Sequence, residues 1–239
     1  MEKFKLIIEA DYALFTRPEM KVERVSYDVP TISALEGLIK SIYWKPSVYI
    51  VIDRIIVFNP IKFINVRRNE IKEKISYANV KTKISGKYKD IRRYVSEQHT
   101  QRASMFLRDV KYGVEFHLEL TGIKTSEEDN NLGKHNGIML RRLQLGQCFR
   151  QPCLGCRECG VKKIELVNDF DTAQIDASLM KDIDLGFMLY GLAFKDGGQP
   201  INNDWDNPVF SDQCKPIYYR PHMINGIINV DKYREDILC

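Results

Sequence analysis

Residues 30–58, PTISALEGLIKSIYWKPSVYIVIDRIIVF, contain the change of pattern that decides the fold. Apolar residues recur at helical spacing from Ile32 to Ile42, and the preceding Thr31 is a suitable N-cap. Lys45-Pro46 ends the helix because the residue before a proline disfavours the helical conformation. Residues 47–58 are rich in Val and Ile and therefore predict a long strand. A helix that leads directly into a strand indicates a protein that mixes both elements.

Further strands and a second helix are predicted on either side of this stretch. Residues 4–9 (FKLIIE) predict a central strand, residues 63–67 a partner strand, and residues 105–120 (MFLRDVKYGVEFHLEL) a long strand. Residues 137–145 predict a short helix, and the glycine- and cysteine-rich residues 146–160 are expected to lead into a last strand. This order predicts an α+β fold with a ferredoxin-like (RRM-like) βαββαβ N-terminal domain. RNA-recognition domains use such a sheet as a platform for single-stranded RNA.

The rest of the chain divides into a polar excursion and a β-rich end. Residues 70–100 are polar and charged, so we interpret them as an excursion from the core, such as a hairpin. Residues 163–239 contain short apolar runs separated by Asp, Asn, Gly and Pro, which predict a small antiparallel β-sheet C-terminal domain. We therefore expect two domains, residues 1–162 and residues 163–239.

The composition excludes a disordered chain and leaves nucleic-acid binding open. Of the 239 residues, 44% are apolar and 28% are charged, as in ordinary globular proteins. The net charge of +4 does not by itself indicate nucleic acid, but the basic residues are clustered and tyrosines are interleaved with one cluster. The clusters are Arg67-Arg68, residues 81–93, Arg141-Arg142 and Lys162-Lys163. Cations bind phosphates and aromatic rings stack on unpaired bases, although solvated charged surfaces have the same composition.

The chain is expected to be cytoplasmic. No run approaches the ~20 apolar residues of a membrane span, and residues 1–4 lead directly into a strand without a signal sequence. Cysteines in that compartment should be reduced.

Four of the six cysteines form a tight group that raises the question of a metal. Cys148, Cys153, Cys156 and Cys159 are spaced C-x4-C-x2-C-x2-C, which leaves a zinc or iron–sulfur site as an alternative. Structural zinc usually takes two knuckles separated by a longer spacer. We therefore expect reduced thiols, no metal and no cofactor.

Two groups of motifs resemble one known family. The first comprises residues 20–30 (MKVERVSYDVP), residues 41–46 (SIYWKP) and residues 67–70 (RRNE). The second comprises residues 146–158 (GQCFRQPCLGCRE) and residues 184–190 (DLGFMLY). These long and unusual motifs closely resemble the Cas5d family of subtype I-C CRISPR systems, within the RAMP superfamily. The resemblance extends over essentially the whole chain.

The resemblance implies an endoribonuclease that cleaves precursor CRISPR RNA within its repeat, without a metal ion. It also implies that the protein stays bound to the 5′ handle of the product in the Cascade complex. The implied partners are the repeat hairpin, the 5′ handle and other subtype I-C Cascade subunits, and the free protein is expected to be a monomer with no membrane partner. The alternative is a non-catalytic Cascade subunit that binds and caps the 5′ handle.

The resemblance also assigns catalytic residues. It implies that the tyrosine of the Tyr-Trp-Lys-Pro motif, Tyr43, acts with a Lys-His pair on the long third strand. His117 occupies a matching position, but Phe116 stands before it in place of lysine, so Lys45 is the expected substitute cation. Cleavage by the RNA's own 2′-hydroxyl needs a base, an acid and a cation, and it leaves a 2′,3′-cyclic phosphate. Histidine, tyrosine and lysine suit these roles.

Structural roles compete with these assignments. His117 can be a strand histidine held by one hydrogen bond, and Tyr43 can anchor the end of a helix. His135 lies in an acidic loop and is not expected to contribute. For RNA contacts we select basic residues, because arginine grips phosphate in a bidentate manner and stacks on bases. They are Lys21, Arg24, Arg67, Arg68, Arg141 and Arg142.

Overall fold

A nine-stranded sheet organises the computed structural model, which describes residues 2–20, 22–87, 90–123, 126–197, 199–204 and 207–234. The strands are β1 (Lys3–Ala13), β2 (Arg24–Val25), β3 (Val48–Val57), β4 (Phe63–Ile71), β5 (His99–Leu120), β6 (Lys163–Leu166), β7 (Asp182–Asp184), β8 (Met188–Phe194), β9 (Cys214–Tyr219), β10 (His222–Ile224) and β11 (Ile227–Asn229). The α-helices are α1 (Ile32–Ile42), α2 (Tyr77–Ile84), α3 (Val95–Gln98) and α4 (Leu132–Gln144). Within these described ranges, no helix is long and apolar enough to cross a membrane.

The large sheet is almost entirely antiparallel. Its strands follow the order β6-β1-β5-β3-β11-β10-β7, and β2 and β4 also pair with β5. Only the short pairing of β2 with β5 is parallel among the pairings described. β8 and β9 form a separate two-stranded sheet. The protein is therefore a mixed α and β fold built on a large antiparallel sheet.

Most of the C-terminal strands join the large sheet, which differs from the separate sheet that the sequence indicated. β6 pairs with β1, and β11, β10 and β7 continue the sheet beyond β3. The expected separate sheet is present only as β8 and β9. The added strands satisfy backbone groups that β1 and β3 would otherwise expose at a sheet edge. The division into two domains after residue 162 stays a prediction, and that boundary lies directly before β6.

α1 begins where the sequence indicates. The Thr31 hydroxyl accepts a hydrogen bond from the Ala34 amide at 3.3 Å, which confirms Thr31 as the N-cap. The apolar stripe of the helix, including Leu35 and Ile39, is buried in the core shared with the sheet. The helix ends at Ile42, and Tyr43 follows in an extended conformation. This end of α1 places Tyr43 against His135 of α4, so Tyr43 lies between the two longest of the described helices.

β5 is 22 residues long because it has different partners along its length. Residues 99–107 pair with β4, residues 107–117 with β1, and residues 112–120 with β3. The strand therefore begins before the expected residue 105. The expected excursion at residues 70–100 contains the end of β4, then α2 and α3, and the start of β5, with which β4 forms a two-stranded ribbon.

α4 begins earlier than the expected residue 137. The Asn131 side chain caps the helix by accepting a hydrogen bond from the Lys134 amide at 3.2 Å. The first turns then bury His135 and, one turn later, Met139. A stretch that looks like a polar loop in the sequence therefore supplies the start of a packed helix.

The cysteine-rich loop lies against the end of β1. The Leu14 amide donates a hydrogen bond to the Leu154 carbonyl at 3.1 Å, and the next residue, Gly155, has a φ of +86°. A Cβ atom at Gly155 would lie 2.0 Å from the Leu14 carbonyl oxygen. Only glycine permits this close approach of two backbone segments.

Candidate active site

Tyr43 and His135 form a buried pair between α1 and α4. The Tyr43 Oη and His135 Nδ1 atoms are 2.7 Å apart, and the two side chains are 4% and 0% exposed. His135 Nε2 lies 3.0 Å from the Asp129 carbonyl oxygen. Because a carbonyl only accepts, Nε2 carries the proton of the neutral ring and Nδ1 accepts from the Tyr43 hydroxyl. This arrangement gives Tyr43 a direct partner for its proton.

Two lysines meet on the carboxylate of Asp129, next to this pair. Lys45 Nζ is 3.6 Å from Asp129 Oδ2, and Lys134 Nζ is 3.8 Å from Asp129 Oδ1. Lys134 also donates a hydrogen bond to Glu128 at 3.0 Å. The Asp129 side chain is buried, whereas both lysine side chains reach solvent. The ammonium groups are thus held close together where an anion can approach them.

The surroundings keep Tyr43 protonated. Burial raises the pKa of Tyr43, and the negative charge of Asp129 raises it further. Arg142 opposes this effect, since its guanidinium carbon lies 5.2 Å from the centre of the Tyr43 ring. Arg142 is itself held by a hydrogen bond to the Ile42 carbonyl at 2.6 Å. Tyr43 therefore presents a neutral hydroxyl as a hydrogen-bond donor at ordinary pH.

His117 lies elsewhere, on the other face of the sheet. Phe116 stacks on Phe4 in the core, with ring centres 5.2 Å apart, so the next side chain along β5 points the opposite way. His117 Nδ1 lies 2.8 Å from Asp53 Oδ2, and Nε2 lies 2.9 Å from Glu119 Oε1. These partners are separate from those of Tyr43. The structure therefore brings Lys45 to Tyr43, but it does not bring His117 there.

An ionic network surrounds His117. Asp53 also accepts a hydrogen bond from Arg234 at 2.7 Å, and Lys3 donates to Glu115 at 3.0 Å. Glu115 accepts a second hydrogen bond from Arg54 at 2.6 Å. Burial alone would raise the pKa of Glu115, but the hydrogen bonds from these two cations lower it. The network favours a structural role for this part of the sheet.

The residues selected for RNA contacts divide between three surfaces. Arg24 and Arg68 both approach Glu70, at 3.8 Å and 3.2 Å, on one face of the β4–β5 ribbon. Arg67 is exposed on the other face of β4. Arg141 is exposed on α4, whereas Arg142 covers Tyr43 as described above. Lys21 lies outside the described residues.

The cysteine group has the character of packed thiols. Cys159 is buried, and burial raises its pKa to about 12, so it is a thiol rather than a thiolate at neutral pH. The Cys156 sulfur accepts a hydrogen bond from Arg24 at 3.7 Å, and Cys148 is exposed. In the part of the chain that the structure describes, no three His, Cys, Asp or Glu side chains are grouped as a metal site would require.

Comparison with known proteins assigns the chain to a family. The family model for the CRISPR-associated protein Cas5, in its Cas5d form, matches residues 4–231. The chain belongs to the Cas5d family. A relative from Mannheimia succiniciproducens named CRISPR pre-crRNA endoribonuclease Cas5d is 38% identical over 243 residues, which cover 98% of each chain. A Thermus thermophilus protein of the same name is 35% identical over 241 residues, covering 98% of this chain and 95% of the relative.

A solved structure agrees with the fold of this Cas5d family member. A crystal structure of a CRISPR-associated protein has a TM-score of 0.60 and 24% identity, covering 95% of this chain and 91% of the other. At that identity, the likeness applies to the fold alone.

His135 is the residue of this group that the sequence interpretation missed. We expected it to lie in an acidic loop and to be unimportant. The loop position is wrong, since His135 lies in α4 with its ring fully buried against Tyr43, and its role stays a prediction. A signal was available in the sequence. Lys134-His135 is the chain's one Lys-His dipeptide, the pair that the family resemblance led us to seek on β5.

Proposed function

We propose that this protein cleaves precursor CRISPR RNA within its repeat and then holds the 5′ handle of the product among the other subunits of a Cascade complex. Family membership over residues 4–231 supports this proposal, as do two relatives named as pre-crRNA endoribonucleases. The observation that carries it is the 2.7 Å contact of Tyr43 with His135, flanked by two lysines. Such a group can move a proton and offset negative charge.

The proposed reaction uses the RNA's own 2′-hydroxyl and needs no metal ion. The 2′-oxygen loses its proton and forms a bond to the adjacent phosphorus, while the bond from phosphorus to O5′ breaks and O5′ takes up a proton. The products are a 2′,3′-cyclic phosphate and a 5′-hydroxyl. General acid–base catalysis of this kind contributes about 10²–10⁴-fold to the rate.

The groups around Tyr43 match the demands of that reaction. Tyr43 can accept the 2′ proton while its own proton passes to His135 Nδ1. The ammonium groups of Lys45 and Lys134 can offset the phosphorane charge, and one of them can supply the proton for O5′. We therefore retain Tyr43 and Lys45 as catalytic residues, and we propose Lys134 and His135 in place of the His117 of the sequence prediction.

We also propose that the N-terminal part has the ferredoxin-like arrangement. Its support is the strand order β6-β1-β5-β3 with antiparallel neighbours, and the positions of α1 and α4 in the chain between those strands. In this arrangement, Arg24, Arg67, Arg68 and Arg141 offer cations for RNA around the sheet and the β4–β5 ribbon. The free protein is proposed to be a monomer.

A second candidate function is that of a subunit which caps the 5′ handle without cutting RNA. The low exposure of Tyr43 and His135 favours it, since a substrate must reach the Tyr43 hydroxyl. Both candidates bind the same RNA, so binding alone does not separate them.

Cleavage of the cognate repeat hairpin in the presence of EDTA tests the proposal. The wild-type protein should give one defined cut ending in a 2′,3′-cyclic phosphate, identified by mass spectrometry. His135→Gln should reduce the rate about 10²–10⁴-fold at unchanged RNA affinity, whereas His117→Gln and the exposed control His99→Gln should still cut. Tight binding without cleavage by the wild type would establish the capping role. Loss of cleavage in His117→Gln alone, at unchanged thermal stability, would return the catalytic role to His117.

A further inference from the structure

A cavity of about 220 Å³ lies next to the Tyr43 group and is not used by the proposed chemistry. It is open to solvent and is bounded by the end of α4, the loop that follows it, and the start of β6. Its apolar lining comes from Ile42, Leu143, Pro152, Val161 and Ile164. Ile42 directly precedes Tyr43, so the cavity and the catalytic group share a wall.

The polar lining of the cavity combines cations with side-chain carboxamides, and no carboxylate is among the residues described around it. It comes from Arg142, Lys162, Gln147, Cys148 and Gln151. Lys163 lines the cavity only with its backbone, because its side chain lies on the face of β6 opposite Ile164 and contacts Glu165. Lys162 is exposed and pairs with the surface carboxylate of Asp11 at 3.3 Å. Exposed pairs of this kind are weak, so an anionic ligand can displace them.

The loop that carries Gln147 and Gln151 is held in place by hydrogen bonds between backbone groups. The Gln147 amide donates to the Arg142 carbonyl at 2.9 Å, and the Phe149 amide donates to the Ser41 carbonyl at 2.7 Å. Gly146 provides the left-handed turn, with a φ of +63°. The cavity is therefore built by the folded backbone and does not depend on the placement of one mobile side chain.

We propose that this cavity binds one unpaired nucleobase of the RNA, with the attached phosphate on Lys162. This proposal rests on the proposed function in taking RNA as the substrate. A nucleobase has two apolar faces and a polar edge, which suit an aliphatic lining with two amides at its rim. The attached phosphate suits the cations, and the absence of carboxylates from the described lining agrees with an anionic ligand.

Arg142 connects the proposed subsite to the catalytic group. It lines the cavity, and its guanidinium group also covers the ring of Tyr43 at 5.2 Å. A base held in the cavity would therefore place the neighbouring nucleotides of the strand beside Tyr43, Lys45 and Lys134. The subsite would select an unpaired position in the repeat close to the cleaved bond.

Methyl NMR of the full chain tests this proposal without measuring cleavage. The methyl groups of Ile42 and Ile164 are labelled, and the four ribonucleoside 5′-monophosphates are titrated separately. At least one nucleotide should shift both methyl signals through the ring current of its base. The double variant Gln147→Ala, Gln151→Ala should weaken that binding about tenfold. The control Gln144→Ala, an exposed glutamine outside the cavity, should bind like the wild type.

The possible outcomes separate this subsite from the nuclease proposal. No methyl shift with any nucleotide, equal shifts with inorganic phosphate alone, or unchanged binding by the double variant would each overturn the subsite. Saturable shifts that the double variant loses would support it, whether or not the wild-type protein cleaves RNA. Circular dichroism of the double variant should match the wild type, because both glutamines are exposed.

Discussion

The hydroxyl of Tyr43 donates a hydrogen bond to Nδ1 of His135 across 2.7 Å, and this bond joins two residues that lie 92 positions apart in the chain. Tyr43 follows α1 and His135 lies in the first turns of α4. The Asp129 carbonyl sets the tautomer of the imidazole, and the Asp129 carboxylate holds two lysines beside it. One short acidic segment before α4 therefore organises both the proton partner and the cations of the candidate active site.

Removing the Tyr43 hydroxyl should affect both stability and cleavage. Tyr43→Phe leaves His135 Nδ1 buried without its donor, so we expect the free energy of unfolding to fall by about 1–3 kcal/mol. Cleavage should fall about 10²–10⁴-fold while RNA affinity is kept. Urea unfolding and single-turnover cleavage measure the two effects. Tyr49→Phe is the matched control, because Tyr49 is half exposed on β3. Full cleavage activity in Tyr43→Phe would exclude Tyr43 from the chemistry.

The charge of Asp129 should set the alkaline limit of the reaction. Burial is the main cause of the raised pKa of Tyr43. The charge of Asp129 raises that pKa further, because a negative charge disfavours the phenolate. Asp129→Asn removes that charge and should lower the pKa of Tyr43, which moves the alkaline limb of the cleavage rate to lower pH. Rates measured from about pH 6 to about pH 11 will locate the limb.

Glu128→Gln provides the comparison for Asp129→Asn. Glu128 also contacts Lys134, at 3.0 Å, but its side chain is exposed. This variant should leave the alkaline limb in place. An identical shift in both variants would mean that the limb reports Lys134 rather than Tyr43.

Acid should weaken the fold through Glu115. The pKa of Glu115 is lower in the folded protein than its ordinary value, so the carboxylate stabilises the fold above the unfolded pKa of about 4.3, and this stabilisation is lost as the pH falls through the folded pKa. Glu115→Gln should reduce the free energy of unfolding at neutral pH by about 2 kcal/mol and flatten its decline in acid. Urea unfolding at several pH values measures this. In the exposed control Glu73→Gln, the free energy of unfolding should fall with pH as in the wild type. If it falls in the same way in Glu115→Gln, the acid sensitivity does not come from Glu115.

The close approach at Gly155 should make this glycine irreplaceable. A Cβ atom there would lie 2.0 Å from the Leu14 carbonyl oxygen, and the φ of +86° strains any other residue. We expect Gly155→Ala to reduce the free energy of unfolding by about 2–4 kcal/mol. Gly160→Ala in the same loop is the control, since no atom lies within 4 Å of its added Cβ. Equal stability of the two variants in urea would show that the loop does not rest on β1 in solution.

Local patterns were sufficient to predict several elements. The cap at Thr31, the helix that ends before Tyr43 and the strand after Pro46 follow from spacing and from proline chemistry within one short window. The motifs at residues 41–46 and 146–158 were sufficient to predict the family. These features depend on neighbours in the chain, which a sequence displays directly.

The partner of Tyr43 was decided only by the tertiary structure. Residues 123–136 are polar, so periodicity gave no sign that α4 starts at Leu132 and buries His135. His117 has the better strand pattern, but strand alternation turns it to the face opposite Phe116 and away from α1. The sequence by itself determined which helices and strands form around Tyr43 and the family to which the chain belongs. Which histidine reaches Tyr43 depends on how α1 and α4 pack together, because that contact joins residues far apart in the chain.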